Sequence, residues 1–185
     1  LYDPISYTMT LGGKRIRPTL CLLAAQLFGG NLLNANNLAM AVEVFHNFTL
    51  VHDDIMDEAP IRRGKPAVHA KWNRDIAILS GDVMFVQAYQ LLAKGNPERL
   101  SEMLSVFNQT AIEVCEGQQL DMNFETRDDV TAENYIEMIR LKTGVLLACS
   151  VQLGALESGA SEKDGELIYE YGEKIGIAFQ IQDDY

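Results

Sequence analysis

Apolar side chains recur along this chain at the three- and four-residue intervals that line one face of an α-helix, and no stretch alternates in the manner of a strand. From Pro18 the apolar positions run to Phe28, where Gly29-Gly30 stops them, and Pro18 suits the first turn of a helix. Asn34 is a candidate cap for a second helix, whose apolar positions extend from Leu38 to Ile55 before Pro60 ends it. A polar loop over roughly 59–67 carries Arg62, Arg63, Gly64, Lys65 and Pro66. The pattern predicts further helices over 68–94, 97–124, 132–157 and 162–185, with breaks at Gly95-Asn96-Pro97 and Gly159 and N-caps at Thr131 and Ser161. Gly144, just after Lys142-Thr143, marks a kink or a close approach. Long helices joined by short loops predict an all-α antiparallel bundle, with no internal repeat.

Composition leaves that picture intact. The chain has 185 residues, 48% apolar and 22% charged, enough for one domain with a sizeable core. Charge narrows it further. A net charge of −11 argues against a nucleic-acid surface, so a polyanionic ligand needs a local basic patch or bound cations. No apolar run approaches the roughly 20 residues of a membrane span, and no signal peptide is visible. Cys21, Cys115 and Cys149 are odd in number and lie among apolar neighbours; they predict buried free thiols and a cytoplasmic location. The chain begins on Leu1 and ends on Asp183-Asp184-Tyr185, from which we expect a piece of a longer protein.

The stretch HDDIMDEAPIRRGK, from His52 to Lys65, crowds both signs of charge together. Asp53 and Asp57, four apart, share a helix face with Cβ atoms about 6 Å apart, where like charges repel unless a divalent cation joins them. Magnesium takes one or two protein carboxylates and completes its shell with water and phosphate oxygens. A second pair, Asp183-Asp184, follows Gln180 on the last helix, and Gln180 shares a face with Asp183. Taken singly, the first acidic segment reads as a solvated helix end before it reads as a metal site. Gly12-Gly13-Lys14-Arg15-Ile16-Arg17-Pro18 sets three cations around a turn; it reads as a solvated loop or as a site where Lys14 and Arg17 bind a diphosphate directly. Arg62 and Arg63 stand close enough to the carboxylates to hold the same ligands. His46 lies two helical turns before Asp53, on nearly the same face.

With these residues assembled, the chain resembles the trans-prenyl diphosphate synthases, the family of farnesyl, geranylgeranyl and longer polyprenyl diphosphate synthases. The likeness runs from GGKRIRP at residue 12 through HDDIMDEAPIRRGKPAVH, LSGD, GQQLD and KTG to FQIQDDY. It implies a single isoprenoid synthase domain over 1–185, an all-α antiparallel bundle around a central active-site cavity, incomplete at the C-terminus because the second aspartate-rich motif breaks off after DDY. Asp53 and Asp57 would bind magnesium as the first motif and Asp183 as the start of the second, with Asp54 and Asp184 close by and three ions per site. Lys14, Arg17, His46 and Arg63 would hold isopentenyl diphosphate. Arg62, Lys142, Thr143 and Gln180 would contact the allylic diphosphate (dimethylallyl, geranyl or farnesyl) or its developing cation, and Gln118 and Asp121 match a further polar pair. The implied reaction is head-to-tail prenyl transfer by a homodimer with no membrane span and no nucleic-acid partner.

The product is expected to be short, geranylgeranyl diphosphate ahead of farnesyl diphosphate. Phe48, about 7.5 Å back along the helix from Asp53, is placed at the cavity floor by the resemblance, with small Thr49 beside it; Phe45 reads as a core aromatic. The alternatives are a longer-chain synthase, a non-catalytic regulatory subunit of the same fold, or a structural bundle with a solvated acidic face.

Overall fold

In the computed structural model, which describes residues 1–185, the first helix lies where the apolar pattern predicted none: α1 spans Tyr2–Thr10 and buries Pro4, Ile5 and Thr8. It is short and has no side-chain cap, so little in its sequence announces it. The remaining order is α2 (Ile16–Leu27), α3 (Leu32–Met56), a hairpin of β1 (Ile61–Arg62) and β2 (Lys65–Pro66), α4 (Val68–Lys71), α5 (Arg74–Leu92), α6 (Leu100–Phe124), α7 (Ala132–Ile139), a π turn (Arg140–Gly144), α8 (Val145–Glu157) and α9 (Glu162–Asp184). The all-α expectation holds, with a two-residue hairpin as its one exception.

Capping explains where the helices begin. Thr131 accepts from the Asn134 backbone N–H, and Asn134 answers to the Thr131 N–H, a reciprocal capping box; Ser161 accepts from Asp164. Both were predicted. Asn34 was not the cap of α3: Asn31 is, its Oδ1 accepting from the Leu33 N–H at 2.8 Å. The expected helix over 68–94 breaks at Trp72, because Asn73 Oδ1 accepts from the Ile76 N–H at 2.8 Å and starts α5 afresh. α6 starts at Leu100, since Asn96–Arg99 closes as a separate turn.

The core centres on Phe45 of α3 and Phe107 of α6, whose rings meet edge to face at 5.1 Å, with Leu38, Val42, Leu92, Leu146 and Leu153 around them. α8 is buried nearly all round and lies between α2 and α9. One sequence reading needs correction here. Although no uninterrupted apolar run is long enough, Ala132–Glu157 contains an 18-residue window of mean hydropathy 1.3, apolar enough to cross a membrane. Of that window 83% is buried inside the bundle, so protein, not lipid, is its surrounding.

Candidate active site

The start of α2, α3, the hairpin, α6, the π turn, α8 and α9 enclose a cavity of about 780 Å³. Lys14, Arg17, His46, Asp53, Arg62, Arg63, Lys142, Thr143, Gln180 and Asp183 all line it. Of the residues given a metal or substrate role only Asp57 does not; it stands exposed as the C-cap of α3, and Asp54, Asp121 and Asp184, expected nearby, pair with lining residues instead. Six lysine and arginine side chains face three carboxylates around this cavity, in a chain whose net charge is −11. The lining inverts the sign of the whole molecule.

Backbone strain builds the rim. Only three non-glycine residues have positive φ, Arg15 (52°), Glu58 (50°) and Arg63 (52°), and all three lie at or beside the site. Each such residue costs on the order of 1–3 kcal/mol and is held there by its surroundings. Glu58 ends α3 in the left-handed conformation, with the Ala59 N–H donating back to the Asp54 carbonyl at 3.0 Å. The chain then reverses through Arg63-Gly64, whose positive φ values suit the tight turn between β1 and β2. That reversal returns Arg62 and Arg63 to the carboxylates of α3.

The cationic side gathers Lys14, Arg15, Arg17, His46 and Arg63. Arg15 pairs with buried Glu43, and Asn47 Nδ2 donates to the same carboxylate at 3.0 Å. Arg17 Nη1 lies 3.3 Å from His46 Nε2, so the imidazole accepts there and is neutral. Its pKa lies well below the ordinary value of 6.5, first because it is desolvated and then because Arg17, Arg63, Arg62 and Arg15 are all positive. Desolvation, opposed by Glu43 and reinforced by Arg63, lowers the Arg17 guanidinium to about 10, still charged at neutral pH. Arg63 donates to the Gly12 carbonyl. Apart from Lys14, these cations are held near one another with a single carboxylate, Glu43, among them.

The carboxylate side is arranged oppositely, each acid meeting a base. Asp54, 3% exposed, accepts twice from Arg62, at 2.9 Å from Nε and 2.5 Å from Nη2. Asp53 lies 3.6 Å from Lys142 and 3.9 Å from Arg62. Burial pushes its carboxyl above the ordinary range, Lys142 opposing and Asp57 reinforcing the shift. Lys142 is itself held at 2.5 Å by Asp121; burial lowers its pKa, but Asp121, Asp53 and Asp57 more than offset that. Across the cavity Lys14 binds Asp183 at 3.0 Å. Arg62, expected to reach an allylic diphosphate, is here committed to Asp54.

Lys142 and Thr143 reach the cavity from a π turn, the widened helical turn frequent at functional sites. Gly117 of α6 allows it: a Cβ there would lie 2.3 Å from the Lys142 backbone nitrogen. Gly144 packs against α9, where a Cβ on Gly176 would fall 2.6 Å from the Gly144 Cα, so the expected close approach is present. Thr143 Oγ1 donates to Gln180 Oε1 at 2.9 Å, Gln180 Nε2 donates to Asp184 at 2.8 Å, and Tyr135 donates to Asp184 at 2.5 Å. At the apolar end Phe48 lines the cavity and stacks against Phe85 (5.2 Å) and Phe45 (5.5 Å). Thr49 Oγ1 donates to the His46 carbonyl at 2.8 Å.

Sequence reasoning missed Glu43, Tyr135 and Phe85, whose placement depends on tertiary contacts. Arg15 and Gly117 were quoted within motifs but given no role, although a glycine inside a helical pattern signals a close approach. Cys115 corrects the cysteine reading: Cys21 and Cys149 are buried, but Cys115 is exposed and lines the cavity. No three carboxylate, imidazole or thiol groups converge on one point. The donor set is hard oxygen on opposite walls, which suits a cation that takes one or two carboxylates and fills its shell with water and phosphate.

The family model for polyprenyl synthetase matches residues 1–185. The chain is 49% identical over 186 residues to a geranylgeranyl diphosphate synthase of Methanosarcina mazei, covering 100% of this chain and 57% of that protein. A solved geranylgeranyl pyrophosphate synthase superposes with a TM-score of 0.98 at 54% identity, over 100% of this chain and 57% of the other. A polyprenyl synthase from Caulobacter crescentus, complexed with calcium and isoprenyl diphosphate, superposes with a TM-score of 0.93 at 32% identity, over 98% of this chain and 55% of the other. The chain therefore spans somewhat over half the length of the relatives it matches.

Proposed function

This chain belongs to the polyprenyl synthetase family, and from that premise we propose that it serves head-to-tail prenyl transfer, joining an allylic diphosphate to isopentenyl diphosphate. The observation that carries the reading is the inverted charge of the cavity, six cations against three carboxylates in a chain of net charge −11. Such a lining attracts polyanions to a molecule that otherwise repels them. The segregation of the charges supports two anions held differently. Lys14, Arg17 and Arg63, with neutral His46 orienting Arg17, bind the isopentenyl diphosphate directly. Asp53, Asp57 and Asp183 would hold magnesium, three ions in the full site, and through it the allylic diphosphate, with Lys142 and Arg62 adding charge.

Bound magnesium would neutralise charge developing on the departing diphosphate. The protein's own residues do the rest. Lys142 hydrogen-bonds the departing phosphate oxygens, while Thr143 and Gln180 turn oxygen dipoles towards the allylic cation. Lys14, Arg17 and Arg63 hold the double bond of isopentenyl diphosphate in line with that cation, and proton loss to the released diphosphate restores the alkene. The apolar end, closed by Phe48, sets a short product of geranylgeranyl or farnesyl length. Exposed apolar side chains of α5 and α6, Leu79, Val86 and Ile112, support a homodimer, and three unpaired cysteines support a cytoplasmic setting. We take residues 1–185 as part of one isoprenoid synthase domain.

The test is incubation of the full-length protein with isopentenyl diphosphate, allylic primers and magnesium, followed by product sizing. Short prenyl diphosphates are expected, and products should lengthen in Phe48→Ala. No condensation with any primer would overturn the reading.

A further inference from the structure

The cavity floor has a second support, one turn beyond Phe48 on α3. The His52 ring meets the Phe48 ring edge to face, with centroids 4.8 Å apart and planes at 67°, and both side chains line the cavity. On its other flank the imidazole lies in a notch of α5. A Cβ built on Gly81 would fall 2.2 Å from His52 Nε2 and 2.5 Å from Cδ2. Gly81 is buried in the interior of α5 and does not have positive φ, so its backbone does not call for glycine. A glycine there is disfavoured relative to alanine unless something needs the space. The imidazole occupies that space. His52 Nε2 donates to the Ile78 carbonyl of the same helix at 3.2 Å, and Asp82 lies 3.9 Å away. Phe48 is held in turn by Phe85, also from α5.

We propose that His52 is a specificity-determining positioning residue: wedged into the Gly81 notch of α5, its ring fixes the Phe48 ring at the cavity floor and so sets the length of the apolar tail that fits. This rests on the prenyl-transfer reading above. The wedge acts sterically. A methyl group at position 81 leaves the imidazole no room against α5, and moving the end of a side chain is easier than moving a packed helix. With α5 behind it and Phe48 beside it, the ring has the cavity as its open side. Displacement in that direction shortens the space for the tail. Removing the ring has the opposite effect, because Phe48 loses one of the surfaces that hold it.

The test compares products of the full-length wild type with Gly81→Ala, His52→Ala, the double variant and His52→Phe, given identical substrates and magnesium. Gly81→Ala should shorten the product by at least one isoprene unit, and His52→Ala should lengthen it. The double variant should match His52→Ala, since no ring remains to be displaced. His52→Phe, which keeps a ring and loses the Ile78 hydrogen bond, should stay nearer wild type in product length than His52→Ala, whatever its rate. Active single variants with wild-type product lengths would overturn the proposal. So would a double variant as short as Gly81→Ala, because α5 would then be acting by its spacing. An inactive wild type would instead count against the prenyl-transfer reading. In that case the crystal structure of Gly81→Ala still decides the wedge: a His52 ring moved into the cavity supports it, and an unmoved ring removes it.

Discussion

The two charged sides of the cavity are built on opposite plans. On the cationic side Arg15, Arg17 and Arg63 stand together around neutral His46, with Glu43 as the carboxylate among them. On the other side, Asp54 has Arg62, Asp53 has Lys142 and Asp183 has Lys14. A crowd of like charges favours an anion, since a bound anion relieves the repulsion among them. In the proposed reaction a metal-bound phosphate would have to exchange the Asp53 pair, releasing Lys142, while Arg62 stays on buried Asp54. The first side is organised for direct binding and the second for substitution.

The largest way to separate them is Asp53→Ala in the full-length protein. On the proposed metal role of Asp53, this variant should lower turnover about a thousandfold, the several kcal/mol a metal supplies to charge stabilisation. Near-normal turnover at saturating magnesium would remove Asp53 from the metal site. Next is Arg62→Ala, which strands buried Asp54; chemical denaturation should show a loss of about 3 kcal/mol, and an unchanged midpoint would show that water replaces the arginine. Arg63→Ala should leave stability nearly unchanged and raise the Michaelis constant for isopentenyl diphosphate about tenfold or more, with a smaller effect on the allylic substrate. Equal effects on both constants would erase the division between the sides.

The smallest effects concern pH in metal-free protein, and here the sides should respond with opposite sign. Folded His46 refuses a proton that the unfolded imidazole accepts below its ordinary 6.5, so the unfolded state binds more protons and stability falls as pH drops. His46→Gln should flatten that decline by about 1 kcal/mol per pH unit. Asp53 behaves conversely: its folded pKa is raised above the ordinary 3.8, so it contributes stability at low pH that is lost as pH rises through the folded value. Asp53→Asn should therefore stabilise the metal-free protein at neutral pH, and the gain should shrink on acidification. Melting temperatures across pH in chelator decide both.

Much of this arrangement was legible in the sequence, because it depends on spacing. Helical periodicity predicted the bundle, and Thr131 and Ser161 predicted their caps. The motif order named Lys14, His46, Asp53, Lys142 and Gln180, and the fold sets all five around one cavity. Contacts across the fold were not legible. Spacing singled out Asp53, four residues before Asp57, but did not show that one position further round α3 buries Asp54 against the hairpin and Arg62. Asn31 and Asn34 are chemically equivalent caps, and chain direction before Leu32 decides between them. The π turn depends on how α6 and α9 approach Lys142 and Gly144, which no local pattern records.

During synthesis, the stretch from Ala132 to Glu157 is the hazardous part of this chain. Its flanks are covered mainly by α2, made long before it, and by α9, which follows it. A chain emerging from the ribosome therefore presents a span-like apolar helix with one flank still uncovered, the kind of transiently exposed apolar surface that makes a chain aggregation-prone. Burial of α8 is completed only when residues 162–184 arrive and fold. Changes that loosen α9 should accordingly cost yield and solubility in the cell before they cost turnover in the test tube.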